Sequence, residues 1–265
     1  MPDHLIAFLV LGAAAGILSG MFGIGGGVVI VPALVVLFGF GLKEGLGTSL
    51  AALVWPVGIF AVVAYYRAGQ LQLRAATLIA LGLVGGNVLG AQLALGLPGD
   101  TLQRIYGLFL FFMGWRFVEP RKLLTQRRNG APPAADPVPV EVAWYILLVV
   151  GVGAGIASGL FGIGGGLVIV PALVVLLRYD QKRAVGTSLV AQLPPVGIGG
   201  VLSYYDAGEL ALTASLVIAL GLLAGSLAGA RIALGLPSAT VKRLYGVFLL
   251  VISLLGLSYR LVLIP

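Results

Sequence analysis

The sequence predicts an all-α integral membrane protein. It reads as a polytopic helical bundle of two inverted-topology repeats, with broken or re-entrant helices at two GIGGG segments. Three observations predict it. First, 60% of the 265 residues are hydrophobic and 9% charged, whereas about a quarter of a soluble domain's residues carry charge. Second, the nineteen-residue block Ser19 to Leu37 recurs as Ser158 to Leu176, with only Met21/Leu160 and Val28/Leu167 changed. Third, the same 139-residue offset pairs Gly47-Thr48-Ser49-Leu50 with Gly186-Thr187-Ser188-Leu189, and Pro56-Val57-Gly58 with Pro195-Val196-Gly197.

Apolar stretches run over about 5–22, 27–39, 45–66, 73–97 and 101–118, then 141–161, 166–177, 184–205, 210–235 and 239–264. Most reach the roughly 20 residues a spanning helix needs; the second of each half has room only for a short or half-length helix. The first stretch belongs to the duplicated unit and lacks a basic start, so it is expected to stay rather than be cleaved as a signal peptide. Residues 1–118 form the first repeat and 141–265 the second. Between them, 119–140 is a linker, basic at Arg121, Lys122, Arg127 and Arg128 and then stiffened by Pro132, Pro133 and Pro137.

Charge argues the topology. An even number of crossings per half places eight basic residues on each side. An odd number, with the first two stretches folded as a hairpin about the glycines, leaves only Lys43, Arg104 and Arg260 outside and thirteen inside. The positive-inside rule selects the second arrangement: inverted repeats in a cytoplasmic membrane, linker cytoplasmic, both termini outside. Lys43 and Lys182, at matching positions, cannot both satisfy the rule.

A helix cannot run smoothly through Gly25-Gly26-Gly27 or Gly164-Gly165-Gly166, because consecutive glycines are poor helix formers that take positive φ. Non-helical backbone at membrane depth is tolerated where protein or a watery cavity meets its polar groups, and a new helix start favours an anion. Packing alone calls for spaced glycines, as in the ladders Gly12/Gly16/Gly20, Gly82/Gly86/Gly90, Gly151/Gly155/Gly159 and Gly221/Gly225/Gly229. The adjacent glycines are therefore read as ligand-facing breaks. Thr48, Ser49, Thr187 and Ser188 are expected to open the next helix of each half, either as caps or as uncharged donors to an oxyanion. Pro56 and Pro194-Pro195 interrupt those helices. Asn87 and Gln192 are polar groups inside apolar runs and are candidate substrate contacts. Arg231 either snorkels or attracts anions at an entrance. Tyr65-Tyr66 and Tyr204-Tyr205 are expected to be interfacial anchors.

One histidine and no cysteine leave no usual haem, zinc or iron–sulfur ligand set, so neither metal nor cofactor is expected. The carboxylates lie at predicted helix ends or in loops, which speaks against a carboxylate proton relay. No phosphate-binding lysine loop is present. In a membrane chain the basic excess reports orientation, and no nucleic-acid partner is expected.

The doubled GIGGG block followed by V-P-A-L, and the doubled G-T-S-L, resemble the TauE/SafE sulfite exporter family. The resemblance spans nearly the whole chain outside the linker. It implies a non-enzymatic permease of the bacterial cytoplasmic membrane that moves small sulfur-containing anions such as sulfite or sulfoacetate. With the expected site between the repeats, the function expected is export by alternating access, which voltage alone can drive. Ion-coupled uptake of a small anion or carboxylate is the alternative, and a scaffold subunit of an enzyme complex is a third reading. Alanine at Gly26 and Gly165 is expected to separate transporter from scaffold. The small-residue ladders also allow a homodimer face.

Overall fold

The computed structural model describes residues 4–118, 142–248 and 251, and every regular element among them is helical. The first half runs α1 Leu5–Phe22, α2 Gly27–Phe38, α3 Leu42–Val54, α4 Ile59–Arg67, α5 Leu73–Gly96 and α6 Gly99–Val118. The second half repeats that order: α7 Trp144–Phe161, α8 Gly166–Pro171 with a π-helical turn Ala172–Leu176, α9 Gln181–Ala191, α10 Ile198–Asp206, α11 Leu212–Gly235 and α12 over 238–248. The linker expected at 119–140 lies outside the described residues.

Among the described helices, α1, α5, α7 and α11 are long and apolar enough to cross a membrane. Helices α3 and α4 make a fifth candidate span, bent by 49°. Pro56 causes the bend. Its ring removes a donor and excludes the preceding residue from helical space, and Trp55 accordingly sits at φ −66°, ψ 151°. In the second half Pro194 stands where the first has Trp55, so α9 stops sooner, at Ala191.

The halves interlock. Helix α1 packs along α11, and α5 along α7, so each pair joins one helix from either half. The glycine ladders permit this approach. A Cβ on Gly16 would lie 2.5 Å from the Leu222 carbonyl oxygen, and one on Gly82 would lie 2.5 Å from that of Leu148. Small residues of this kind let membrane helices touch backbone to backbone. Gly12, Gly16 and Gly20 meet Ile218, Leu222 and Ser226 in rising order, so α1 and α11 run parallel; α5 and α7 do likewise.

The two pairs run in opposite directions. Thr48 and Ser49 of α3 bond Ala211 before α11 and Gly162 after α7, while Thr187 and Ser188 of α9 bond Gln72 before α5 and Gly23 after α1. The start of each pair thus lies beside the end of the other, which for helices of this length requires antiparallel pairs.

Some sequence features gain reasons here. Lys43 Nζ donates to the Leu95 carbonyl at 2.9 Å and Lys182 Nζ to that of Leu234 at 3.0 Å. Each lysine caps the C-terminal end of a long helix, which explains its presence in both halves better than charge bias does. Tyr65 and Tyr204, expected as anchors, are instead fully buried. Their hydroxyls donate to Gly20 and Gly159 carbonyls at 3.1 and 2.9 Å. Adjacent residues on a helix point about 100° apart, so one tyrosine of each pair turns inward while Tyr66 and Tyr205 stay exposed. Thr48 and Ser49 do not open a helix either: α3 starts at Leu42, and α9 starts behind Asp180, whose carboxylate accepts from the Lys182 N–H.

Candidate functional site

The two glycine breaks meet each other. Helix α1 ends at Phe22 and α2 begins at Gly27, with Gly26 at φ 95°; Gly165 takes φ 81° before α8. L side chains rarely adopt these angles. A Cβ at Gly25 would lie 3.4 Å from the Gly164 Cα, so the two loops are in contact backbone to backbone. Alanine at Gly26 or Gly165 would also press on Leu222 or Leu83 at 2.9 or 2.8 Å. Those substitutions therefore test folding as much as flux.

Beside this crossing opens a small cleft. Its lining is paired by the 139-residue offset: Ser19 with Ser158, Gly25 with Gly164, Leu50 with Leu189, Val57 with Val196 and Gly58 with Gly197. The pair Leu53 and Gln192 breaks the chemical match, and Trp55 joins from the first half. The cleft is mostly apolar, and among the described residues no charged side chain lines it. Its polar side chains are the two serines, Gln192 and the Trp55 indole, beside backbone groups.

A shell of hydrogen bonds fixes this lining. Ser49 Oγ donates to the Gly162 carbonyl and Ser188 Oγ to that of Gly23, both at 2.8 Å and both across the halves. The Gln72 and Ala211 N–H groups donate to Thr187 and Thr48 Oγ1 at 3.1 and 3.0 Å. These four hydroxyls, expected as caps or as anion donors, are buried, bond to backbone and stand outside the cleft lining. Asn87, 1% exposed, also stands one layer back, its Nδ2 donating to Ser158 Oγ at 3.0 Å. Its Oδ1 has no hydrogen-bond partner among the described residues.

Of the residues singled out from sequence, then, Gly25, Gly164 and Gln192 line the cleft. Gly26, Gly27, Gly165 and Gly166 form the helix starts behind it, and Arg231 is exposed on α11 outside the lining.

The family model described as sulfite exporter TauE/SafE matches residues 8–255. The chain belongs to the TauE/SafE family. It is a multi-pass membrane transporter by that membership. Its relatives include a probable membrane transporter protein of Methanocaldococcus jannaschii, 28% identical over 84% of either chain. Others are the probable membrane transporter YdhB of Bacillus subtilis, 26% identical over 86% of this chain and 89% of that one, and one from Xylella fastidiosa, 28% identical over 95% and 94%. No solved structure matches the chain.

Sequence reasoning missed Ser19 and Ser158 in this TauE/SafE transporter. Each is 3% exposed, at the rim of the glycine break, and lines the cleft. A signal existed, because these two serines open the duplicated block. They lie inside α1 and α7, and the packing of the two halves is what puts them at the cleft.

Proposed function

We propose that the protein exports small sulfur-containing anions, sulfite or organosulfonates, across the bacterial cytoplasmic membrane by alternating access between inverted repeats. The observation that carries this reading is the cleft beside the two touching glycine breaks, lined by residues from both halves and holding one matched pair of uncharged donors, Ser19 and Ser158. Such a site meets an oxyanion without the charge that would hold it too tightly to leave. The antiparallel course of the two helix pairs supports inverted repeats, and the α3–α4 bend supports a segment that moves. In this reading Ser19, Ser158 and Gln192 touch the anion, Gly25 and Gly164 let it approach backbone, and Arg231 stands at an entrance. Thr48, Ser49, Thr187, Ser188 and Asn87 position the lining. The linker lies in the cytoplasm and both termini lie outside. An anion leaving a negative interior gains about 2.3 kcal/mol per charge per 100 mV, so no coupling ion is required.

Efflux of sulfite and of a two-carbon sulfonate from proteoliposomes, with voltage imposed in either direction and no proton or sodium gradient, tests the reading. Flux should follow voltage and fall severalfold in Ser19→Ala/Ser158→Ala. Flux that begins only when a sodium or proton gradient is added would sink uncoupled export.

A further inference from the structure

Building on the transport reading above, we propose that Gln192 makes the cleft select anions that carry a hydrogen-bond donor of their own. The Gln192 amide is held in one orientation. Its nitrogen lies 3.2 Å from the Gly23 carbonyl oxygen, 3.1 Å from that of Ser188 and 2.9 Å from Ser188 Oγ. Carbonyl oxygens accept only, so the group facing them is the NH2, and the network leaves no flipped alternative. Oε1 is thereby turned away from those carbonyls, toward Gly25 and Gly164. A Cβ on Gly25 would lie 2.7 Å from it and one on Gly164 3.0 Å. Glycine at both places keeps this carbonyl uncovered.

Among the described residues nothing donates to that oxygen, yet it is not sealed away as Asn87 Oδ1 is. It is an open acceptor on a wall of the cleft. The two serines supply the opposite character. Because Asn87 donates to Ser158 Oγ, the serine's own proton is left for another acceptor, and Ser19 offers a second hydroxyl at the matching place. The cleft thus joins hydroxyl donors for an anionic oxygen to a fixed acceptor that a bare oxyanion would face unfavourably. The complementary ligand is an anion bearing an O–H or N–H, such as a hydroxyalkyl sulfonate or a singly protonated oxyanion. Leu53 at the matching place has no such group, so the demand comes from one side only.

The test uses the full chain in proteoliposomes and compares efflux of 2-hydroxyethanesulfonate with propane-1-sulfonate, in which a methyl replaces the hydroxyl. One uncharged hydrogen bond predicts a preference of roughly three- to tenfold for the hydroxyl compound. Gln192→Leu, which copies the leucine the first half already carries, should bring the ratio to about one. Leu53→Gln should raise it. An unchanged ratio in Gln192→Leu, or a wild-type preference for propane-1-sulfonate, overturns the inference. If neither compound moves in any protein, the transport reading fails by itself, and calorimetric titration of the same pair into detergent-solubilised protein decides the selectivity. A hydroxyl preference lost in Gln192→Leu upholds it. Equal binding, no binding, or uptake of sodium alone that Gln192→Leu abolishes overturns it.

Discussion

The two halves use the same bonds to build the framework and differ where the cleft is lined. Ser49 and Ser188, Thr48 and Thr187, Lys43 and Lys182, and Tyr65 and Tyr204 make matching bonds to matching backbone groups. Around the cleft, Leu53 faces Gln192, Trp55 corresponds to Pro194, and Asn87 corresponds to Ser226. Ser226 does not copy its partner, since its Oγ donates to the Val57 carbonyl at 2.9 Å instead. A duplicated chain must keep the contacts that hold its halves together, because each appears twice. It can change a contact with a ligand on the axis one side at a time.

The framework is therefore where substitution should hurt most, and equally in both halves. Gly20→Val and Gly159→Val each drive a side chain into a backbone carbonyl of the partner helix, of Ser226 and Asn87 respectively. Each should cost roughly 1–3 kcal/mol or more and appear as a matched loss of folded protein in thermal unfolding in detergent. Unequal losses would break the comparison.

The next effect should separate the halves. Ser49→Ala removes the one side-chain donor seen on the Gly162 carbonyl, whereas Ser188→Ala leaves Gly23 still bonded by Gln192. Side-chain hydrogen bonds inside membrane proteins average about 0.6 kcal/mol and reach about 1.7. Ser49→Ala should sit toward the upper end and Ser188→Ala below it. Adding Gln192→Leu to Ser188→Ala should close the gap, and additive behaviour of those two changes would contradict the shared carbonyl.

Smaller still is Asn87→Ser, which gives the first half the residue of the second. It removes the bond to Ser158 together with an unpartnered buried oxygen, so stability should change by less than about 1 kcal/mol. Smallest of all is the effect of pH. With no titratable side chain lining the cleft among the described residues, flux of a permanently charged sulfonate should stay level between roughly pH 5.5 and 8, where histidine would titrate. A bell-shaped profile would place a titrating group in the path.

Much of this architecture was legible in the chain. Hydrophobic content, the gapless duplication, the breaks at Gly25 to Gly27 and Gly164 to Gly166, and the family follow from residue type and order. Those properties act locally: glycine takes positive φ, proline ends a helix, and apolar length matches a bilayer wherever it occurs. Which polar groups are spent on structure and which face the cleft was decided by the interlocking of the halves. Thr48, Ser49, Thr187 and Ser188 read from sequence as caps at a helix start or as uncharged donors to an oxyanion. Their backbone partners proved to be Gly23, Gly162, Gln72 and Ala211, the nearest of them 113 residues away in sequence, and Ser188 Oγ also accepts from Gln192. Ser19 and Ser158 entered the sequence reading only as the first residues of the duplicated block, and the crossing of the two breaks left them at the cleft. A hydrogen bond is satisfied by whatever lies within about 3 Å, and for a group in the interior that neighbour is set by tertiary approach.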